Sequence, residues 1–377
     1  MTPRQRVLTA LDHREPDLVP IDLGSCGPTG IHVWAYERLL QVLGLAEDIQ
    51  IWDVVGQLAR PSETVLELVG ADVRGVRVGG GSYTPELLSA TELVDQWGTT
   101  WRRPQGGTSF HIAAYPLRHA TRRDLSGYPW PDGASPNLVT GLAERAKYLH
   151  EQTPYAVLGE ISGHIFERAQ MVRGFDTFLL DMAADREFAE TLLDHILAVE
   201  IDIAATFLDA VGPYLDIVAF KDDIGMQSGP IISPAMFREM IKPRMKKLIE
   251  VIRSKTGARL WFHSCGSIYY ALPDLIELGV EILNPVQVQA AGMDTARLKR
   301  EFGDRLAFWG GIDTQQVLPF GTPEAVAAEV RQRLADLAPG GGYVLASVHN
   351  LEADVPGENI WAMYQTAHQY GRYPLNY

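Results

Sequence analysis

A chain of 377 residues, 46% hydrophobic and 21% charged, can form one large barrel or two ordinary domains, and it is too balanced in composition for long disorder. Its 33 basic and 47 acidic residues leave a net charge of −14, which repels a polyanion and argues against nucleic acid as a partner. No apolar run approaches the roughly 20 residues that span a bilayer, the N-terminus lacks the apolar core of a secretory signal, and the only cysteines are Cys26 and Cys265. No membrane partner, no disulfide framework and a cytoplasmic location are therefore expected, and any metal centre on Cys265 must recruit His, Asp or Glu.

In chain order, residues 2–13 predict a short amphipathic helix with Val7, Leu8 and Leu11 on one face. Residues 18–24 are strand-like. Residues 31–45 predict a helix whose Trp34, Tyr36, Leu39, Leu40 and Leu43 read as core packing, with Gly44 as its cap. Residues 50–129 are less regular. Gly79-Gly80-Gly81-Ser82 interrupts the chain without the Gly-Lys-Ser/Thr of a phosphate loop, and residues 96–101 read as a hairpin strand. This region, about 50–130, is expected to be a variable insertion or cap, of the kind that carries substrate specificity.

From residue 137 the pattern becomes regular. Predicted helices at 137–152, 185–211, 233–255, 272–278, 295–302 and 323–337 alternate with apolar strands at 155–161, 215–223, 259–262, 280–287, 306–313 and 342–350; Thr322 is the N-cap of the last helix. Apolar strands alternating with helices are the mark of a parallel α/β sheet. The strands end in Glu160, Asp222 with Asp223, His263 with Cys265, Gln287, Asp313 and His349. A closed (β/α)8 TIM barrel gathers such ends around one mouth, whereas no glycine-rich dinucleotide fingerprint supports an open sheet. The expected architecture is a single barrel domain over residues 1–377 with an N-terminal extension or insertion.

His263 and Cys265 are two apart at a strand end, so both side chains point the same way and can converge on one ion. On a barrel, His349 reaches the same point, giving a nitrogen, sulfur and nitrogen set suited to Zn2+, with Glu160 or an aspartate as fourth ligand or an open position for substrate. Asp222, Asp223 and Asp313 are candidate acid/base groups. Their bland alternatives are a solvated loop pair and a strand-end cap.

The stretches Phe262-His263-Ser264-Cys265-Gly266, Ile282-Leu283-Asn284-Pro285-Val286-Gln287, Phe308-Trp309-Gly310-Gly311-Ile312-Asp313 and Gly342-Tyr343-Val344-Leu345-Ala346, with the opening Thr2-Pro3-Arg4-Gln5-Arg6-Val7, resemble the uroporphyrinogen decarboxylase superfamily. The resemblance implies a (β/α)8 barrel. Decarboxylases of that superfamily carry an arginine-rich N-terminal motif for the porphyrinogen carboxylates; here the neighbourhood reads Asp22-Leu23-Gly24-Ser25-Cys26-Gly27, and between Arg14 and Arg60 the one arginine is Arg38. The other branch, zinc methyltransferases working with corrinoid proteins, is marked by His-x-Cys at one strand end and a further Cys at a later one. His263 and Cys265 match the first mark, and His349 stands where the later Cys is expected.

An imidazole in place of a thiolate removes one negative charge and makes the metal a stronger Lewis acid, which suits an ether oxygen better than a bound thiolate. The resemblance therefore implies methyl transfer from a small methoxylated compound, an aromatic methyl ether included, or a methylamine-type substrate to the cob(I)alamin of a separate corrinoid-binding protein, with Glu160 or Asp223 ligating the metal or donating a proton. The alternatives are methyl transfer from a methylcorrinoid to a thiol of the coenzyme M type, and a decarboxylase or a metal-dependent hydrolase or lyase on the same barrel. The oligomeric state stays open, a homodimer included.

Overall fold

The computed structural model describes residues 1–79 and 85–375; Gly80, Gly81 and Ser82 of the glycine-rich interruption lie outside the described residues. Seven strands form one curled sheet: β1 (Val73–Arg77), β2 (Ala156–Glu160), β3 (Ile217–Lys221), β4 (Arg259–His263), β5 (Ile282–Asn284), β6 (Ala307–Ile312) and β7 (Tyr343–Ser347). Each is parallel to its neighbour, and spatial order follows chain order. The strand-like segment before residue 24 fills the remaining gap. On one side Asp72 N–H donates to Ile21 O (2.8 Å); on the other Leu345 N–H donates to Pro20 O (2.8 Å) and Asp22 N–H to Leu345 O (3.0 Å). The wall is thereby closed into a TIM-type barrel.

Alternation along the strands sorts the core. Val73, Leu158, Ala219, Trp261, Trp309 and Val344 share one buried cluster inside the barrel, whereas Val157, Phe220, Phe262, Phe308 and Leu345 pack outward with the helices. Trp261 and Trp309 meet edge to face at 6.5 Å and fill much of the lumen. Val7 and Leu11 of the first helix, Pro3–Leu11, join the inner cluster. That helix contacts β1, β2 and β7 and plugs the N-terminal end of the barrel, so access is from the C-terminal ends of the strands.

The helices at Pro3–Leu11, Val33–Leu43, Arg186–Val211, Thr295–Phe302 and Pro323–Leu337 match the periodic stretches, with Gly44 in the left-handed conformation and Thr322 accepting from Ala325 N–H. A four-stranded antiparallel sheet, Glu86–Ser89, Glu92–Val94, Thr100–Arg102 and His111–Ala114, lies within the irregular region; of the expected hairpin strand at 96–101 only Thr100 and Trp101 are strand, while residues 96–99 form the hairpin turn, where Asp95 Oδ1 accepts from the Trp97 and Thr99 N–H groups. One part of that region differs from a cap: Val73–Arg77 is a wall strand of the barrel. Its sequence, Val-Arg-Gly-Val-Arg, hides it, because the burial of Arg74 depends on partners distant in sequence, Glu63 (2.9 Å) and the Tyr155 ring beneath the guanidinium, as well as on the Ala71 carbonyl (2.8 Å). Gly75 is required there, since a Cβ would lie 1.8 Å from the Ser25 carbonyl oxygen. Helices Phe166–Arg173, Phe175–Ala184 and Gly357–Tyr370 have no counterpart in the sequence reading. No helix among the described residues is long and apolar enough to cross a membrane.

Candidate metal centre

His263 ends β4, two residues after Trp261, so the pleat turns both side chains into the barrel, where their rings stack at 6.0 Å. The chain then leaves the strand through a tightly held loop. Cys265 N–H donates to Asp223 Oδ1 (2.8 Å), Gly266 N–H to Gln287 Oε1 (2.6 Å), and Ile224 N–H to Ser264 Oγ (3.0 Å). Gly266 has φ +85°, and a Cβ there would meet the Gly225 backbone at 2.5 Å. The loop is therefore stapled to the ends of both neighbouring strands, and Cys265 has little freedom.

His349 follows β7 and brings its ring centroid within 5.7 Å of that of His263. One ligand atom from each of His263, Cys265 and His349 lies within 4.8 Å of the others, the one such grouping among the described residues. His263 Nε2 and Cys265 Sγ are 3.6 Å apart. Two such ligands bound tetrahedrally to zinc at about 2.0–2.3 Å stand about 3.5 Å apart, so this edge already has the spacing of a zinc site.

The proton on His263 follows from its neighbours. Asn284 Nδ2 donates to Trp309 O (2.9 Å), which leaves Asn284 Oδ1 as an acceptor 2.5 Å from His263 Nδ1. Nδ1 therefore carries the hydrogen and Nε2 offers its lone pair. Burial pushes His263 down to about 3, and burial together with His263 pushes His349 down to about 4, so both rings are neutral at pH 7, the form a metal requires. Burial and then Asp223 push the Cys265 thiol up, a penalty that a divalent cation would reverse. The residues fit zinc in number, type and protonation.

Beside the three candidate ligands lies an acidic pair, Asp223 and Glu167, of which the sequence points to Asp223 alone. Asp223 Oδ1 is 3.8 Å from His263 Nε2. Burial, reinforced by Asp223, pushes Glu167 up to about 8, so it holds a proton at neutral pH. Glu167 Oε2 is 3.3 Å from His164 Nε2, His164 Nδ1 is 3.0 Å from Ser162 Oγ, and Ser162 Oγ donates to Glu200 Oε1 (3.1 Å). A hydrogen-bonded chain thus runs inward from Glu167 at the cleft to the buried Glu200, whose second oxygen accepts from Gly163 N–H (2.8 Å). His164, Glu167 and Glu200 were outside the sequence reading. The spacing of His164 and Glu167 after the Glu160 strand end is the one signal that points to them.

The other expected residues lie elsewhere. Glu160 accepts from Gly27 N–H (2.9 Å), faces Lys221 at 3.8 Å and stands outside the three-ligand grouping. Asp222 accepts from Phe166 N–H (2.9 Å) and Glu167 N–H (2.7 Å), capping the helix that carries Glu167. Asp313 accepts from Gln315 N–H (2.8 Å) and Gln289 Nε2 (2.9 Å), as a strand-end cap does. His263, His349, Asp223, His164 and Glu167 all line one open cleft of about 1610 Å³ at the barrel mouth.

The model of the family described as uroporphyrinogen decarboxylase (URO-D) matches residues 114–370, about two thirds of the chain. The chain belongs to the uroporphyrinogen decarboxylase family. Among curated relatives, a protein named uroporphyrinogen decarboxylase from Azoarcus sp. (strain BH72) is 28% identical over 189 residues, covering 48% of this chain and 49% of that protein. One of the same name from Pseudoalteromonas translucida is 24% identical over 208 residues, covering 53% and 55%. The chain thus aligns with about half the length of the curated relatives it matches. A solved structure described as a methyltransferase from Methanosarcina mazei superposes with a TM-score of 0.66 at 20% identity, covering 98% of this chain and 99% of that one, which establishes the shared fold. Within the family, then, this chain combines a common barrel with the His263, Cys265 and His349 grouping at its mouth.

Proposed function

We propose that this chain is a zinc-dependent methyltransferase that moves a methyl group from a small methoxylated or methylamine-type compound to the cob(I)alamin of a separate corrinoid protein. The observation that carries this reading is the convergence of His263 Nε2, Cys265 Sγ and a nitrogen of His349 at the open end of a barrel whose other end is plugged. Zinc held by these three residues supplies Lewis acidity toward the oxygen or nitrogen that gives up its methyl group. Two neutral imidazoles and one thiolate leave that site with a net positive charge, the condition for polarising a weakly basic ether.

The protein's own groups supply the rest. Asn284 orients His263, and Asp223 fixes the Cys265 loop through its backbone N–H. Glu167, protonated at neutral pH and lining the cleft, is placed to give a proton to the departing alkoxide or amine. The wide mouth leaves room for a corrin ring presented by another protein. The fold shared with a methanogen methyltransferase supports this reading.

Decarboxylation is the second reading, favoured by the names of the curated relatives. The two separate on one measurement. Zinc-loaded protein mixed with reduced corrinoid carrier and a panel of methoxyaromatics and methylamines is expected to develop the methylcobalt absorption with at least one donor. Failure with every donor, or purified protein that retains no zinc, overturns methyl transfer.

A further inference from the structure

Arg77 ends β1 at the rim of the cleft, and its guanidinium stacks on the Trp52 ring with Cζ 3.1 Å from the centroid. Its Nη1 is sealed from solvent and has no hydrogen-bond partner among the described residues; the indole Nε1 of Trp52 is in the same condition. Leaving a buried donor unsatisfied costs on the order of 1–3 kcal/mol, more for a charged group, so two side by side mark a place prepared for an acceptor. Lys221, at the end of β3, adds a third donor. Its one ionic neighbour within 4 Å among the described residues is Glu160, at 3.8 Å, too long for a hydrogen bond.

The acids nearby do not fill this role. Glu160 is committed to Gly27 N–H, and Asp53 to the backbone N–H groups of Val55 and Gly56 (2.9 and 3.1 Å). Arg60 lines the same cleft, and the hydrogen bonds that Glu160 and Asp53 accept come from backbone N–H groups, not from Arg77 or Lys221. The open donors are Arg77 Nη1 and the Trp52 indole N–H, and together they suit an anion with several acceptor lone pairs.

We propose that the methyl donor carries a carboxylate, held by Arg77, Lys221 and the Trp52 indole, with its methylated heteroatom toward His263, Cys265 and His349. This deepens the methyl-transfer reading and rests on it. In the barrel wall Arg77 pairs in register with Glu160, and Lys221 with His263. Because Glu160 pairs with Ala219 and Ala219 with Trp261, Arg77 and His263 are three strand spacings across and two residues along from each other, about 16 Å at the backbone, with side chains reaching inward from both ends. That gap suits a single-ring acid, with a planar guanidinium fork matching its carboxylate.

Calorimetric titration of the zinc-loaded full chain with benzoate, with its neutral analogue benzamide and with inorganic phosphate tests this. Benzoate is expected to bind about tenfold or more tightly than benzamide, the preference expected of a charge-assisted pair. Arg77→Met should erase that preference and Arg77→Lys should restore part of it. Equal binding of benzoate and benzamide by the wild type, a comparison that needs no variant, would overturn the proposal. So would a benzoate preference that survives Arg77→Met, which would place the carboxylate on the metal, or phosphate binding more tightly than benzoate. No corrinoid is present in these titrations. Loss of the benzoate preference therefore sinks the carboxylate site alone, whereas Arg77-dependent binding without methylcobalt formation sinks methyl transfer alone.

Discussion

Asn284 grips His263 at 2.5 Å through Nδ1 while its own amide is pinned to the Trp309 carbonyl, so one buried side chain dictates which imidazole nitrogen faces the barrel mouth. Partners of this kind tune a metal ligand without touching the metal. Asn284→Ala is expected to weaken zinc binding by roughly 10–100-fold, read by competition with a chromophoric chelator. Unchanged affinity in a folded variant would show that His263 is oriented by something else.

The ligands themselves should behave as a unit. His263→Ala and Cys265→Ser should each lose zinc on gel filtration while the wild type retains about one ion per chain. Affinity should also climb with pH. Both imidazoles are already neutral and only Cys265 must shed a proton, so the expected slope is about tenfold per pH unit while the thiol is protonated. A pH-independent affinity would remove Cys265 from the ligand set.

Asp222 is expected to be a stability residue. Asp222→Ala strips two backbone N–H groups at the start of Phe166–Arg173 of their acceptor and should cost about 1–2 kcal/mol in urea denaturation. If the denaturation midpoint stays put while turnover disappears, Asp222 belongs to the chemistry after all.

Glu200 governs part of the pH dependence of stability. Burial raises its folded value to about 7, above the ordinary 4.5. The native state therefore holds a proton that the unfolded chain releases between about pH 4.5 and 7, and stability falls as pH rises through that window, then levels off. Asp222, raised to about 7, and Asp72, raised to about 6, act in the same direction. Glu200→Gln should flatten the fall and raise the melting temperature at pH 8, by up to roughly 3 kcal/mol of stability for a fully buried acid. A variant with the wild-type pH profile would show that Glu200 is solvated in solution.

The later strands were legible because each is an apolar run ending in a polar residue, and His263, Cys265 and His349 converge because all three stand at or just past the ends of strands that surround one mouth; Cys265 itself lies beyond the strand and is aimed by the loop that Asp223 and Gln287 hold. β1 was not legible, because Arg74 and Arg77 in a strand look like surface until Glu63 and the cleft are seen in place. Asn284 stood in plain view within Ile-Leu-Asn-Pro, but its part is a hydrogen bond to a residue 21 positions away, which no local pattern encodes. The chain Glu167, His164, Ser162 and Glu200 draws on a loop, a short helix and a long one. Asp222 fixes the helix start that carries Glu167, and Glu200 ties down Ser162 and Gly163.

The segment at residues 20–22 reaches β7, more than three hundred residues later, to close the wall. During synthesis this part of the chain emerges more than three hundred residues before its partner strand. Until then the growing sheet has two unpaired edges, each a row of open hydrogen-bonding groups able to pair with another chain. The ring cannot shut, and the strand ends cannot be drawn into one circle, before Leu345 has left the ribosome. A chain cut short of β7 is accordingly an open, adhesive sheet in which His263 and Cys265 stand without His349.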